Sequence, residues 1–442
     1  MYSVNECPNN DKVWEPIDND ELDNLKELKT KYRDVLEYLQ NHTGWNTTHD
    51  LGKAADVTDN LFQFDFYNES YPEWIANPKL ANYTGETLKA AIMEFAEIHP
   101  RSCAYASPCR SLMAGYWLND IIDKLNDAKD QKNKLKVVGY SSHTEITLSV
   151  MKLLGIVKDE VTTSAGFVIE FKLNQGPAIR ILNHDPNPID THVIYNATLE
   201  EDLKKLQRND GFIPLADYLE HIKPNAFSDW RAQCDAPTCS RSASTRFLTL
   251  SSLILLIAII HGKIHQRKAM RGFLIVSLVF LGVAAHELLP KKSVKIDKNT
   301  VLVLFGTRHG NRHPEEFLEE NPRSWGYEGN TELTSFGKSQ GLGLGKELRS
   351  FIGDLVSRNY NSSQVKYYSS SANRCQMTLQ TVTAALHDPE QWGDWNKKWY
   401  DHWSPVPYTI DDPLLRMYAV KECKGSDKVW KPISTDTLPT LK

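Results

Sequence analysis

Residues 1–22 (MYSVNECPNNDKVWEPIDNDEL) and 417–438 (MYAVKECKGSDKVWKPISTDTL) agree at 13 of 22 positions without a gap. A chain that ends on the segment with which it begins reads most simply as two tandem copies of one ancestral unit. The cut falls so that the later part of one copy precedes the earlier part of the next. Residues 298–416 are then the first part of a unit and residues 1–240 its second. Together they amount to about 360 residues, enough for a core domain and a cap. Any single fold must bring these parts together across 241–297, a connection of roughly 57 residues, and doubling a loop costs only about 0.6 kcal/mol. The competing expectation is a merger of two neighbouring genes, so that no such polypeptide folds in the cell as one piece. A transcript continuing upstream of Met1 would mark that case.

The connection holds two apolar runs. Residues 247–260 (FLTLSSLILLIAII) are short for a bilayer span, which takes about 20 residues, and a basic HGKIHQRK follows. From Met270, MRGFLIVSLVFLGVAAHE has the basic start, apolar centre and small residues of a cleavable signal peptide. A membrane hairpin or two buried helices is the structural alternative. The expected product starts upstream of Met1 or at Met270, with a mature end near His286. The 247–260 tail suggests membrane attachment, by a short span or by a lipid-anchor signal after the small residues 242–244. Six N-x-S/T sequons, at Asn41, Asn46, Asn68, Asn82, Asn196 and Asn361, and seven cysteines without C-x-x-C pairs point to an oxidising, secretory compartment. The expected location is extracellular, lysosomal or membrane-attached. Net charge is −5 and no basic stripe interleaves with aromatics, so nucleic acid is not an expected partner.

Read in unit order, 298–442 comes first. Residues 299–305 (NTVLVLF) form a β-branched run suited to a buried parallel strand, and FGTRHGNRHP follows at its C-terminal end, the edge where open α/β sheets bind ligands. Residues 332–356 carry apolar positions at helical spacing, with Gly341, Gly343 and Gly345 read as close helix packing rather than a nucleotide loop. A strand at 365–369 leads to a helix capped near Asn373, with Arg374 in its first turn. A strand at 135–140 leads through His143 and Glu145 to an amphipathic helix ending at Leu154. Residues 21–125 lack strand runs and read as a helical cap, with an α/β core over about 126–240.

Three guanidiniums can neutralise the equatorial oxygens of a transferring phosphoryl group, and Arg308, Arg312 and Arg374 are the candidates. His309, between the first two, is placed to attack phosphorus through a ring nitrogen. Glu145 can protonate the departing alkoxide and later deprotonate water, beside His143, which is assigned to the phosphoryl group. Cys375 reads as a small buried hydrophobe, and Asn311 and His313 as supporting residues.

The run Arg308-His309-Gly310-Asn311-Arg312-His313-Pro314 matches R-H-G-x-R-x-P, and on it the chain resembles the histidine acid phosphatases. The likeness continues through ELTSFGKSQGLGLGKELR, similar to that family's L-T-x-x-G helix, and through Arg374. It implies a three-layer α/β sandwich with a mainly parallel sheet and a helical cap, a covalent phosphohistidine, phosphomonoester substrates, and no metal or other cofactor. A second copy of the chain is an open partner. The chain departs from the common His-Asp at His143-Thr144-Glu145. The inositol polyphosphate phosphatases are similar in using H-A-E, which makes inositol phosphates the alternative substrate class. A phosphate-binding relative without turnover is the remaining alternative. The resemblance also implies one disulfide from Cys234 to either Cys7 or Cys423, with Cys103–Cys109 as a local second. The unit has one place for the repeated segment, so its two copies compete for it. Cys7 is favoured because displacing it would drag the cap at Leu22, whereas the Lys442 end frays freely.

Overall fold

A computed structural model of the chain describes residues 7–187, 189–234, 289–290, 292–321, 326–388 and 404–417. The two apolar runs, Cys239 and Cys423 lie outside these residues, as do residues 418–438 of the repeat.

In chain order, the first part of the described chain is helical: α1 (Pro8–Asp18), α2 (Asp23–Lys31), α3 (Arg33–Thr43), α4 (Leu51–Tyr67), α5 (Glu73–Ala76), α6 (Gly85–Met93), α7 (Ile98–Tyr105) and α8 (Ser107–Lys129). Then come β1 (Val137–Ser142), α9 (Thr144–Leu153), β2 (Gly166–Lys172), β3 (Ala178–Pro186), β4 (His192–Asn196), α10 (Glu201–Leu206), β5 (Ile213–Pro214), α11 (Leu215–Ile222) and α12 (Trp230–Cys234). The later segment supplies β6 (Thr300–Arg308), α13 (Ser335–Ile352), β7 (Val365–Ser369), α14 (Asn373–Leu386), β8 (Thr409–Ile410) and α15 (Asp412–Leu415).

The strands form one sheet in the order β4-β3-β2-β6-β1-β7-β8, with β5 paired to β3. The half β6-β1-β7-β8 is parallel, and β2 is antiparallel to β6 and to β3. The two distant parts of the sequence therefore share one sheet. β6 lies between β1, in register Ser142↔Arg308, and β2, in register Phe167↔Gly306.

Alternation along the strands explains the layers, because successive side chains leave opposite faces of a pleated strand. Val303, Phe305, Val137 and Val365 pack with Leu344, Leu348, Leu379 and Val382 of α13 and α14. Leu302, Leu304, Val138 and Tyr140 pack on the other face with Trp117 and Leu118 of α8 and Ile146 and Val150 of α9. The fold is thus an α/β sandwich of three layers.

The cap has its own core, from Leu25 to Ile98, in which Leu36, Leu61, Leu88 and Phe95 are buried. α8 belongs instead to the sheet, since Trp117 lies against Tyr140 and Phe167. The cap core therefore ends near Ile98, short of residue 125. Helical periodicity gives the length of α8 but not the partner of its apolar face. Asp20 ties cap to core: buried, it accepts from Leu51 N at 3.0 Å and pairs with His99 Nε2 at 2.7 Å and Lys29 Nζ at 2.6 Å.

Cys7 is joined to Cys234 and Cys103 to Cys109. Of the two partners open to Cys234, the chain uses the one that precedes the cap. Met417, which begins the second copy of the repeat, is buried with its sulfur 3.5 Å from that of Cys234.

Candidate active site

β6 delivers the motif to the edge where β1 and β7 also end. The loop that follows is held by its own backbone. Arg308 N–H donates to Ala165 O (2.9 Å), His309 N–H to Ser142 O (3.0 Å), Gly310 N–H to Thr378 Oγ1 (2.9 Å) and Asn311 N–H to Gln340 Oε1 (2.8 Å). The loop also packs backbone to backbone on the first turn of α13. A Cβ on Gly310 would stand 2.4 Å from Gly337 O, and one on Gly337 would stand 2.2 Å from Asn311 O. This close approach is the physical content of the L-T-x-x-G pattern. Thr334 caps the same helix at Gly337 N (3.1 Å), and its hydroxyl also faces Asn311 Oδ1 at 2.7 Å.

His309 is buried, and its Nδ1 lies 2.8 Å from Gly310 O. A carbonyl only accepts, so Nδ1 carries the proton and Nε2 presents a lone pair. Burial, followed by the guanidiniums of Arg374 and Arg308, holds this imidazole well below the ordinary histidine range, so it is neutral.

His143 stands edge-on to His309, with ring centroids 5.7 Å apart. Arg374 Nη2 donates to its Nδ1 at 3.1 Å, which leaves its Nε2–H for Ser370 Oγ at 3.0 Å. Burial and then the Arg374 charge likewise keep His143 neutral. In this arrangement His143 orients Arg374. Arg308 donates to Val161 O at 2.7 Å and pairs with Glu97, while Arg312 Nη2 lies 2.9 Å from Asp59 Oδ2. The Nε–H groups of Arg308 and Arg374 are buried and have no acceptor among the described residues. An orphaned buried donor is costly unless a ligand meets it, and two on neighbouring guanidiniums fit one oxyanion.

A cavity of about 550 Å³ opens over Arg308, Asn311 and Arg312. Phe62 and Phe66 of α4 form an aromatic wall, and Thr144 reaches it from α9. Glu145 follows in the first turn of α9, buried, and its charge acts on the Cys375 thiol. Burial pushes that thiol up to about 11, so Cys375 is a protonated, packed residue. The structure thus brings Arg308, His309, Arg312, Arg374 and His143 together, and of the pair after His143 it turns Thr144 to the cavity.

Sequence reasoning missed Asp59 and Glu97. Asp59 belongs to a polar stripe on α4 with Asp56 and Gln63, and Gln63 donates to Asn311 Oδ1 (3.1 Å) and Arg312 O (2.9 Å). That i, i+3, i+7 spacing is visible in the sequence. Glu97 carries no such signal. It takes a left-handed φ of 52° between α6 and α7, and only the tertiary fold sets it on Arg308.

The parallel edge of the sheet offers a neutral histidine among guanidiniums, an arrangement chemically suited to an oxyanion. Residues 289–431 match the histidine phosphatase superfamily (branch 2). The chain is 33% identical over 120 residues to venom acid phosphatase Acph-1 of Apis mellifera, covering 26% of this chain and 30% of that protein. It is 21% identical over 210 residues to prostatic acid phosphatase of Bos taurus, covering 46% and 49% respectively. With putative acid phosphatase 5 of Caenorhabditis elegans it shares 30% identity over 164 residues, 35% of this chain and 37% of the relative. The chain therefore spans from 30% to 49% of the length of these curated relatives.

Proposed function

We propose that the chain is an acid phosphatase that hydrolyses phosphomonoesters through a phosphohistidine. The observation that carries this reading is the neutral His309, its Nδ1–H tied to Gly310, beside the Nε–H groups of Arg308 and Arg374, which have no acceptor among the described residues.

In the first step the Nε2 lone pair forms a P–N bond as the P–O ester bond breaks. The leaving oxygen takes a proton from a carboxylic acid, which we assign to Glu145. In the second step water attacks phosphorus, its proton returns to that carboxylate, and the P–N bond breaks. Arg308, Arg312 and Arg374 carry the phosphoryl charge throughout, and His143 acts on it through Arg374. Asp59, Asp65, Glu97 and Glu160 line the cavity, with Arg101 the remaining guanidinium beyond the motif. Such a lining favours an ester with a single phosphate over an inositol polyphosphate.

We place the protein in the secretory pathway. All six sequon asparagines are exposed and both disulfides are formed. Among the described residues no helix is long and apolar enough to cross a membrane, and attachment through 247–260 remains part of the proposal. The permuted order itself is best accounted for by two tandem copies, as the one sheet shared by β1–β5 and β6–β8 supports.

Hydrolysis of an aryl phosphate by the purified chain tests the activity. His309→Ala should abolish it, with chelator leaving the wild type unaffected. Wild-type rates in the alanine variant would remove His309 as nucleophile.

A further inference from the structure

The two arginines of the motif are already answered by carboxylates, and both of these come from the cap. Glu97 accepts from Arg308 and from the Thr144 hydroxyl, and Asp59 pairs with Arg312 at 2.9 Å. Both line the cavity through which an ester would enter. Glu97 is held there in a left-handed backbone conformation, φ 52°, that is costly for a non-glycine residue. The pairs stand where a tetrahedral dianion would have to bind.

We propose that Asp59 and Glu97 are the resident counter-anions of this site, displaced from Arg308 and Arg312 by the incoming oxyanion, and that the pair takes up a proton as it yields. The proposal rests on the reading of those arginines as phosphoryl-binding groups. Its cause is charge balance in a buried place. Two carboxylates and a dianion carry four negative charges against the three of Arg308, Arg312 and Arg374, and in low dielectric the surplus is relieved most readily by protonating a carboxylate.

Asp59 is the one that accepts. Burial raises its carboxyl above the usual range, the Glu97 charge adds to this, and Arg312 and Arg308 offset it only in part. Burial acts on Glu97 in the same direction, but the Arg308 and Arg312 charges, with bonds from Thr144 and Arg308, outweigh it and hold Glu97 low. Asp65, Glu160 and Arg101 share the cavity wall with the pair and together add one further negative charge. On α4, Asp56 is pushed up to about 7 by burial and by Asp59, and Lys53 pairs with it at 3.4 Å. From the motif side come Glu315, whose charge acts on Asp56 and Arg312, and Glu316, paired with Lys53. His309 and His143 behind the arginines are neutral.

Sulfate is the probe, because it stays a dianion across the whole range and brings no titration of its own. Its binding to the purified chain is followed by calorimetry from pH 4.5 to 7.5, in buffers of different ionisation heat. The wild type is expected to take up as much as one proton per sulfate within this range, with affinity falling as pH rises, by about tenfold per pH unit where uptake is complete. Asp59→Asn, which keeps an oxygen for Arg312, should flatten that slope and bind sulfate more tightly at pH 7, whereas Asp56→Asn should leave the slope in place. Sulfate binding without proton uptake by the wild type would overturn the proposal, whether or not the variants fold. So would a slope that survives in Asp59→Asn, which would belong to a histidine, or one lost in Asp56→Asn alone. A folded protein that binds no sulfate at any pH removes the phosphoryl reading of the site as well.

Discussion

The ring Nδ1 of His309 lies 2.8 Å from the carbonyl oxygen of Gly310, so the residue next in sequence fixes which nitrogen is free to react. Rapid quench of the protein with a phosphomonoester should therefore trap phosphate on Nε2 of His309, seen by phosphorus NMR of the denatured adduct under alkaline conditions. Phosphate on Nδ1, or on another residue, would contradict the tautomer.

Proton donation should separate leaving groups. Glu145→Gln is expected to slow hydrolysis of an alkyl phosphate by about 10²–10⁴-fold, while an activated aryl phosphate, whose oxygen leaves unprotonated, loses far less. Equal losses on the two would argue that buried Glu145 supports α9 rather than donating a proton.

The contact of the motif loop with α13 should be intolerant of a single methyl group. Gly337→Ala places its Cβ on the backbone of Asn311, an atom that cannot swing aside. A stability loss of about 1–3 kcal/mol in a denaturant titration is expected, together with a lower kcat as the loop shifts under His309. Wild-type activity in this variant would show that the loop does not need its observed position.

Two buried histidines make the fold sensitive to acid. Burial holds His184 at about 3, and burial with the His184 charge brings His192 to about 3. An unfolded histidine binds its proton near 6.5, so between these values the unfolded chain holds more protons. Stability is then present above about 6.5 and lost as pH falls toward 3. By pH 5 each histidine accounts for about 2 kcal/mol of that loss. His184→Gln keeps a donor for Gly306 O, now 3.0 Å away, and should shrink the drop between pH 7 and 5 by its share. Asp56, pushed up to about 7, acts in the opposite sense, which is why the comparison is made between variants. An unchanged drop in urea denaturation would remove His184 from the explanation.

The repeat also makes a covalent prediction. Removing the Cys7–Cys234 bridge should cost about 2–5 kcal/mol if nothing replaces it. Since Cys423 occupies the place of Cys7 in the second copy, Cys7→Ser is expected to yield Cys234–Cys423 on non-reducing peptide mapping, and a free Cys234 would show that the two copies are not equivalent.

What could be read from the sequence followed from short-range rules. β6, α13, β7 with α14, and β1 with α9 announce themselves by alternation, helical spacing and caps, and the R-H-G-x-R-x-P run follows a strand end. The antiparallel half of the sheet was harder to see. β2 and β3 are buried on both faces and carry few alternating polar residues, so their pairing depends on β6 arriving from another part of the chain. The turn of Thr144 rather than Glu145 to the cavity depends on the rotation of α9 against the sheet, which spacing alone does not fix. The carboxylate on Arg308 comes from a residue over two hundred positions away, and no local pattern records such a pairing.

The central position of β6 has a consequence for how the chain is made. β1 and β2, the strands on either side of it, leave the ribosome first, and at ordinary rates of synthesis β6 follows on the order of ten to thirty seconds later. Until then β1 and β2 each present an unpaired backbone edge, the kind that recruits strands from other chains. The nascent protein must pass through that interval with a gap in the middle of its sheet. Its yield in a cell therefore depends on whatever shields those edges during translation, so slowing elongation between codons 173 and 300 should lower recovery of the folded protein while leaving the stability of the finished molecule unchanged.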